Sequence, residues 1–299
     1  QRLAQFPDAM LAWYDNEKRS LPWRENPTPY RVWISEIMLQ QTRVEAVIGY
    51  YERFLSALPD IHALAQAPQE QLMKLWEGLG YYTRARNLQK AAQVMDQQYA
   101  GQFPGTYDEI RALPGIGDYT AGAIASIAFS LKHPAVDGNV LRVMTRLTAD
   151  GGDISKPATK QRISSLLTGL LPDRVGDFNQ SLMELGATVC IPNGAPACLI
   201  CPVRKYCLGF SQGSPEDYPV KPKKKARTIE EHTVFLLDAG GRLALSKRPE
   251  RGLLAGMWEL PNVPGCLSQE AAEQWVLTQG FSHAQVCRLR SCRHIFTHV

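Results

Sequence analysis

Apolar residues recur at every third or fourth position through most of the chain up to about residue 210, a spacing that predicts amphipathic helices. The stretches VEAVIGYYERFLSAL and YYTRARNLQKAAQVMDQQY carry this pattern clearly. Gly and Pro residues separate the periodic segments, as they do in helix-to-helix connections. Residues 1–213 are therefore predicted to form an all-helical unit, with further helices over 118–131, 138–148, 157–171 and 177–190.

Two of the predicted helix starts carry capping signals. Thr28 is expected to cap a helix whose first residue is Pro29, because a Thr hydroxyl accepts from free backbone N–H groups and Pro fits the first helical position. Thr106 and Glu109 have the spacing of a capping box at the start of TYDEIRAL. These signals define where two of the helices begin.

The pattern changes after residue 213. The stretch SPEDYPVKPKKKART (214–228) holds three prolines and a basic run, and it predicts an exposed linker. TVFLLDAGGRLALSKR then predicts two strands around a Gly-Gly turn, and RSCRHIFTHV begins another strand-like alternation. Residues 229–299 are thus predicted to be an α/β domain. Because the alternation stops at the last residue, we expect this domain to be truncated.

Composition and charge restrict the class of protein only broadly. The 299 residues are 44% hydrophobic and 21% charged, which is normal for a globular protein with a substantial core. The net charge of +4 is compatible with a polyanionic partner but does not demand one. The sequence shows neither an apolar run of roughly 18–20 residues, as a membrane span needs, nor a signal-peptide pattern. We expect a cytoplasmic protein with no membrane partner, in which thiols stay reduced.

Four of the seven cysteines fall within the eighteen residues CIPNGAPACLICPVRKYC, namely Cys190, Cys198, Cys201 and Cys207. Four thiolates this close together suit a tetrahedral metal ion or a cubane cluster. Zinc ribbons usually contain two C-x2-C pairs and this segment contains one, so an iron–sulfur cluster is favoured. Arg204 and Lys205 lie between the last two cysteines, as a structural loop that contacts phosphate would require, although the spacing alone leaves a redox role open.

The stretch LPGIGDYTAGAIASIAF (113–129) predicts a tight turn followed by a helix. Gly115 and Gly117 would let backbone N–H groups point outward beside the positive end of that helix, which makes an anion site the size of a phosphate. Taken alone, a plain helix–turn–helix with glycines for close packing fits the motif equally well.

Two carboxylates occupy unlike surroundings. Glu36 lies within VWISEIMLQ among apolar residues, where a raised pKa would let it act as a proton donor. The alternative is a Glu on a narrow polar stripe beside Gln40 or Arg43. Asp137 precedes a predicted helix, where an N-cap role alone would explain it. A proton donor paired with an ionised carboxylate is nevertheless what cleavage of a glycosidic bond requires.

Together these features resemble the helix–hairpin–helix DNA glycosylase superfamily, and within it the MutY family of adenine glycosylases. The resemblance implies a mainly α fold of two helical subdomains, with the hairpin at 113–122 and a [4Fe–4S] cluster in the loop 190–207, followed by an incomplete Nudix-like α/β domain. It is carried by LPWR (21–24), VWISEIMLQQTRV (32–44), WEGLGYYTRARNL (76–88), LPGIGDYTAGAIAS (113–126), VDGNVLRV (136–143), FNQSLMELGATVC (178–190) and the cysteine loop.

The resemblance also implies roles for individual residues. Glu36 matches the acid that protonates adenine, and Asp137 matches the carboxylate that stabilises the oxocarbenium ion or forms a transient covalent adduct. Tyr119 and Asn139 match residues that support this intermediate. Relatives with lyase activity carry Lys at the position of Tyr119, so the tyrosine implies a glycosylase without lyase activity.

Residues that contact DNA are implied in the same way. Arg24 and Gln180 match positions in the adenine pocket, and Thr297 and His298 match the loop of the second domain that reads 8-oxoguanine. The residues matching those that wedge into the duplex are Gln41, Thr42, Leu79 and Tyr81. An inserted side chain offsets the cost of unstacking a base.

The implied activity is removal of adenine mispaired with 8-oxoguanine or guanine in double-stranded DNA, by a monomeric, nucleoid-associated bacterial protein. An endonuclease III-like glycosylase/lyase for oxidised pyrimidines is the alternative within the same class. A catalytically silent DNA-lesion binder and a nucleotide pyrophosphohydrolase are alternatives from other classes. The stretch VPGCLSQEAAEQWVL has too few carboxylates to hold the Mg²⁺ that the last of these would need.

Overall fold

The computed structural model describes residues 3–222, 229–249 and 251–294. The chain divides into two compact units, residues 1–222 and 223–299. The helices of the first unit are α1 (Phe6–Glu17), α2 (Pro22–Glu25), α3 (Pro29–Leu39), α4 (Val44–Ala57), α5 (Ile61–Gln66), α6 (Gln69–Trp76), α7 (Thr83–Gln98), α8 (Tyr107–Ala112), α9 (Asp118–Phe129), α10 (Gly138–Thr148), α11 (Pro157–Thr168), α12 (Val175–Thr188) and α13 (Leu208–Ser211). The prediction of an all-helical unit is confirmed.

Both capping signals operate as predicted. The Thr28 hydroxyl accepts from the backbone N–H of Arg31 at 3.4 Å, in the first turn of α3. The Thr106 hydroxyl accepts from the backbone N–H of Glu109 at 3.4 Å and donates to the Glu109 carboxylate at 2.5 Å. Each cap satisfies an N–H that the helix itself leaves unpaired, so the local sequence alone places the first residues of α3 and α8.

The helical unit contains two hydrophobic clusters rather than one. The first is built around the fully buried Trp33, Phe54 and Trp76 and takes in α3 to α9. The second joins the N-terminal α1 to α10, α11 and α12, and in it Phe6 meets Phe178 edge-to-face at 5.8 Å. α9 packs against both α3 and α12, so its residues lie where the two clusters meet.

The start of the predicted linker, residues 214–222, belongs to the helical unit, although five of its nine residues are exposed as predicted. Pro215 is buried, and the carbonyl of Val220 accepts from the backbone N–H of Ile154 at 3.1 Å. The Arg146 guanidinium donates to the carbonyl of Tyr218 at 3.0 Å. The prolines suggested an exposed coil because sequence composition does not show these distant hydrogen-bond partners. The KKK run lies outside the described residues.

The second unit contains, among its described residues, four short strands and one helix. Gly240 and Gly241 form the predicted turn, since both have positive φ and Asp238 bridges Leu243 across them. Next to the turn the two flanking segments pair with each other, since Ala239 donates to the Arg242 carbonyl at 2.9 Å and Ala244 donates to the Leu237 carbonyl at 3.0 Å. The outer parts of these segments form strands with other partners. They pair with later strands, as β1 (His232–Val234) with β4 (Asn262–Pro264) and β2 (Ser246–Lys247) with β3 (Trp258–Glu259), ahead of α14 (Gln269–Thr278).

Candidate active site

Glu36 is buried in α3, with 6% of its surface exposed. Its carboxylate accepts a hydrogen bond from the Tyr119 hydroxyl of α9. Burial raises the pKa of Glu36 to about 7, against the opposing effect of the Tyr119 hydrogen bond. Gln40, a neighbour in the polar-stripe alternative, donates to Thr120 at 3.4 Å. A carboxyl with a pKa near neutrality is suited to donate a proton.

Asp137 caps the N-terminus of α10. One carboxylate oxygen accepts from the backbone N–H of Val140 at 2.7 Å, and the other accepts from the Asn139 amide at 2.7 Å. Burial raises the pKa of Asp137, and these two hydrogen bonds act in the opposite direction by stabilising the ionised form. The capping role and a chemical role are therefore compatible, because the cap holds the charged carboxylate in place.

Tyr119 connects the two carboxylates electrostatically. Burial, followed by the negative charges of Glu36 and Asp137, raises the pKa of Tyr119 well above its usual value. The phenol therefore stays neutral and donates its proton to a hydrogen bond with Glu36. In the same way, the negative charge of Asp137 contributes to the raised pKa of Glu36. The structure thus brings three of the four predicted catalytic side chains into one interacting group, and Asn139 joins it through Asp137.

Arg24 is held by a buried carboxylate that the sequence analysis did not single out. Glu184 of α12 is 1% exposed and accepts from Arg24 at 2.8 Å and from Arg19 at 2.7 Å. Burial acts to raise the pKa of Glu184, but the two arginines hold it below its usual value. This ion-pair network fixes Arg24 in the interior, and its positive charge in turn acts to lower the pKa of Glu36.

Arg24 and Gln180 line the same cavity, which has a volume of about 550 Å³. This volume lies within the range of small-molecule sites. Of the described residues, Glu36, Tyr119 and Asp137 do not line this cavity. The structure therefore joins the two predicted adenine-pocket residues to each other, and links them to the carboxylates through the charge of Arg24 rather than through a shared cavity wall.

Arg142 connects the cysteine loop to Asp137, a link that the sequence analysis missed. Its guanidinium donates to the Cys190 carbonyl at 2.8 Å and to the Asn139 side-chain oxygen at 2.8 Å. Asn139 donates in turn to Asp137. Gly186 makes this approach possible, because a Cβ there would lie 2.6 Å from the Cβ of Asn139.

The predicted wedge residues lie in two segments close to the end of α3 and the start of α7. Gln41 and Tyr81 both have left-handed backbones, with φ of 59° and 47°. Tyr81 is 41% exposed, whereas Leu79 is 7% exposed and belongs to the first hydrophobic cluster. Thr42 is half-buried and donates to the Gln40 carbonyl at 3.4 Å. In this structure Tyr81 is therefore accessible to a duplex and Leu79 is not.

The hairpin between α8 and α9 needs glycine at one position more than at the other. Gly115 has φ of 76°, and a Cβ there would lie 2.6 Å from the Cβ of Asn87. Gly117 is the N-cap of α9, with an extended backbone and no atom within 4 Å of an added Cβ. Asp118 forms an exposed ion pair with Arg111, which offsets its negative charge beside a candidate phosphate site. The hairpin geometry is thus compatible with an anion at the N-terminus of α9.

The four predicted ligand cysteines line one small cavity beside α10 and α12. All four are thiols outside any disulfide and are partly buried. Arg146 donates to the Cys190 sulfur at 3.3 Å, and the backbone N–H of Phe210 donates to the Cys207 sulfur at 3.5 Å. Within the part of the chain that the structure describes, no group of three or more His, Cys, Asp or Glu side chains is placed so that it could hold a metal ion. The donor set nevertheless fits an iron–sulfur cluster, since four thiols line one cavity and two of them accept N–H donors.

Two predicted 8-oxoguanine contacts, Thr297 and His298, lie outside the described residues. Their placement therefore stays a prediction from the resemblance. No helix among the described residues is both long enough and apolar enough to span a membrane.

Comparisons with known proteins identify the class of each unit. Residues 34–168 match the family model for HhH-GPD superfamily base excision DNA repair proteins, and residues 232–299 match the NUDIX domain model. A solved thermostable thymine-DNA glycosylase superposes with a TM-score of 0.65 and 28% identity, covering 71% of this chain and 97% of that chain. An endonuclease III in a non-covalent DNA complex superposes with a TM-score of 0.61 and 25% identity, covering 71% of this chain and 97% of the endonuclease chain. The helical unit is thus of the HhH-GPD class.

Curated relatives specify the family within that class. Proteins named adenine DNA glycosylase from Arabidopsis thaliana and Homo sapiens are 43% and 39% identical over 88% and 86% of this chain. That of Buchnera aphidicola from Acyrthosiphon pisum is 35% identical over 98% of this chain and 83% of its own length. The chain belongs to the adenine DNA glycosylase family. It spans 48% and 57% of the length of the plant and human relatives.

Proposed function

We propose that this protein excises adenine from double-stranded DNA in which the adenine is mispaired with 8-oxoguanine or guanine, by hydrolysis of the N-glycosidic bond. The observation that carries the proposal is a pair of carboxylates, the buried Glu36 and the half-buried Asp137, in different hydrogen-bond environments. Glu36 has a pKa of about 7, whereas Asp137 accepts two hydrogen bonds that favour its ionised form. Membership of the adenine DNA glycosylase family supports adenine as the base.

The two carboxylates divide the reaction between them. Near neutral pH the Glu36 carboxyl carries a proton in much of the population and donates it to the leaving adenine, which weakens the bond to the sugar. Asp137 remains beside the sugar as an anion and stabilises the positive charge that develops there. Tyr119 orients Glu36 through its hydroxyl, and Asn139 orients Asp137 through its amide.

Tyr119 also determines the fate of the sugar once the base has left. A lyase reaction needs an amine that forms a Schiff base with the sugar. Tyr119 has a phenol in place of an amine, so it cannot form that Schiff base. Water therefore completes the reaction, and the product is an intact strand with an abasic site.

Four cysteines, Cys190, Cys198, Cys201 and Cys207, would hold a [4Fe–4S] cluster. A cluster bound there would tie the loop 190–207 into a fixed conformation. Arg204 and Lys205 on this loop then present positive charge for phosphate contact. The cluster is tested by metal analysis, which should find iron rather than zinc, and by the visible absorption of an iron–sulfur centre.

The decisive experiment uses a duplex with a single adenine opposite 8-oxoguanine. Incubation with cluster-loaded protein followed by alkali should cut the strand at that adenine, and no cut should occur without alkali. Glu36→Gln should abolish the cut while duplex affinity remains, and Glu52→Gln, an exposed change on α4, should leave it intact. Protein that binds the duplex but yields no alkali-labile site would overturn the proposal and leave the silent binder.

A further inference from the structure

The Arg84 guanidinium donates five hydrogen bonds to main-chain carbonyls, which the sequence analysis did not foresee. It lies in the first turn of α7, and one terminal nitrogen donates to the carbonyls of Ile37, Met38 and Gln40 at 2.8, 3.1 and 2.6 Å. The other terminal nitrogen donates to the carbonyls of Leu79 and Gly80 at 2.9 and 3.2 Å. One guanidinium thus joins the end of α3 to the loop that precedes α7.

The two segments that it joins contain all four predicted wedge residues. Gln41 follows the bonded carbonyl of Gln40, and Tyr81 follows the bonded carbonyl of Gly80. Both Gln41 and Tyr81 have left-handed backbones, which side chains other than glycine adopt only where the surroundings hold them. Hydrogen bonds immediately before each strained residue supply such a restraint.

Aromatic rings enclose the same guanidinium. Its central carbon lies 5.2 Å from the ring centre of Trp76 and 5.6 Å from that of Tyr81. The Trp76 indole also donates to the Gly80 carbonyl at 3.0 Å. Because Trp76 is fully buried, the guanidinium is anchored to the core on one side and to the exposed Tyr81 on the other.

The charge of Arg84 is directed at a helix end rather than at a carboxylate. Among the described residues its partners are carbonyls, and those of Ile37 and Met38 belong to the last turn of α3, where the helix carries partial negative charge. Burial lowers the pKa of Arg84 to about 10, so it remains charged at neutral pH. The turn that it stabilises directly follows Glu36.

We propose that Arg84 is a positioning residue that holds residues 40–42 and 79–81 as one rigid wedge, and thereby sets how fast the target adenine is extruded. This inference rests on the proposed function, because the base to be extruded is the adenine that the protein is proposed to excise. Lysine cannot replace the arginine, since an ammonium group has three donors on one nitrogen and cannot span two segments that need five contacts.

The test compares Arg84→Lys with the unaltered protein on a duplex carrying 2-aminopurine in place of the target adenine, opposite 8-oxoguanine. The fluorescence of this base rises when it leaves the stack, and stopped-flow mixing gives the extrusion rate. We expect extrusion to slow about tenfold or more, since hydrogen bonds from a charged donor are lost, while duplex affinity changes little. Single-turnover excision of adenine should slow by the same factor.

A matched control is Arg162→Lys, because Arg162 is an exposed arginine of α11 paired with Asp150. Arg162→Lys should extrude the base and excise adenine at the same rates as the unaltered protein. A second substrate separates positioning from general damage. When the adenine faces an abasic site and is poorly stacked, the deficit of Arg84→Lys should shrink. A folded Arg84→Lys protein that extrudes the base at the control rate would overturn the inference.

A measurement on the unaltered protein remains decisive if the variant does not fold. In native-state hydrogen exchange, the amides of residues 40–42 and 79–81 should exchange through one shared opening reaction, with the same free energy of opening. Independent opening of the two segments would contradict a single rigid wedge. If the unaltered protein excises no adenine at all, the proposed function fails, and the exchange experiment still decides whether residues 40–42 and 79–81 form one rigid wedge.

Discussion

Replacing Glu36 by Gln should make the folded protein more stable while it removes the activity. The amide has nearly the same shape as the carboxyl, and its carbonyl oxygen accepts from the Tyr119 hydroxyl as the carboxylate does. It cannot ionise, so the cost of burying a negative charge disappears. Active sites often carry such a cost, and its removal stabilises the protein at the expense of function.

The pKa of Glu36 determines how much stability the Glu36→Gln substitution gains. Folding raises the pKa of Glu36 from its ordinary 4.5 to about 7. Between these values the folded protein keeps a proton that the unfolded chain has released, so stability falls as the pH rises through this window. One pH unit corresponds to ~1.4 kcal/mol, and the whole window therefore costs the unaltered protein about 3 kcal/mol above pH 7.

Urea unfolding at several pH values measures this difference. At about pH 8, Glu36→Gln should unfold with a free energy about 3 kcal/mol larger than that of the unaltered protein, and near pH 4.5 the two should agree. Glu52→Gln, which changes an exposed carboxyl of α4, should show no comparable pH dependence. If the gain at Glu36 is absent at pH 8, or equally large at every pH, the buried-acid reasoning is refuted.

Three further predictions concern the same unit. Tyr119→Phe removes a hydrogen bond that lowers the pKa of Glu36, so the pH at which single-turnover excision falls to half should move upward; an unmoved profile would contradict this role. Arg142→Met leaves buried carbonyls without their donor and should lower the unfolding free energy in urea by about 2–5 kcal/mol; an unchanged midpoint would count against the link. Gly115→Ala should destabilise the protein by at least ~1 kcal/mol more than Gly117→Ala, because only the former has positive φ and a Cβ clash; equal thermal midpoints would show that the hairpin does not need this glycine.

The order of helices in the first unit was predictable from the sequence because it depends on local interactions. Apolar spacing of three to four residues defines each helix face, and a cap such as Thr28 acts on N–H groups only three residues away. The Gly240-Gly241 turn was predictable for the same reason, since both glycines supply the positive φ that the turn requires. The partners of β1 and β2 were not predictable, because β4 and β3 lie later in the chain.

The candidate site also contains residues that could be predicted from the sequence and properties that could not. Glu36 and Asp137 were identifiable as candidates because an acid among apolar residues and an acid before a helix are visible in the sequence. The pKa of Glu36 was not predictable in size, because it depends on Tyr119 of α9 and on burial by helices that are distant in the chain. The roles of Arg84 and Arg142 could not be predicted for the same reason, since each donates to main-chain carbonyls that are distant in the sequence.

The sequence by itself therefore determined the helical elements, the caps, the hairpin glycine at 115 and the clustering of four cysteines. Only the tertiary structure decided which charges are buried, which arginines hold which carbonyls, and where the helical unit ends. Local hydrogen bonding and periodicity act over a few residues and leave a readable pattern. Desolvation and main-chain pairing at a distance depend on the packing of many segments at once, so no single stretch of sequence records them.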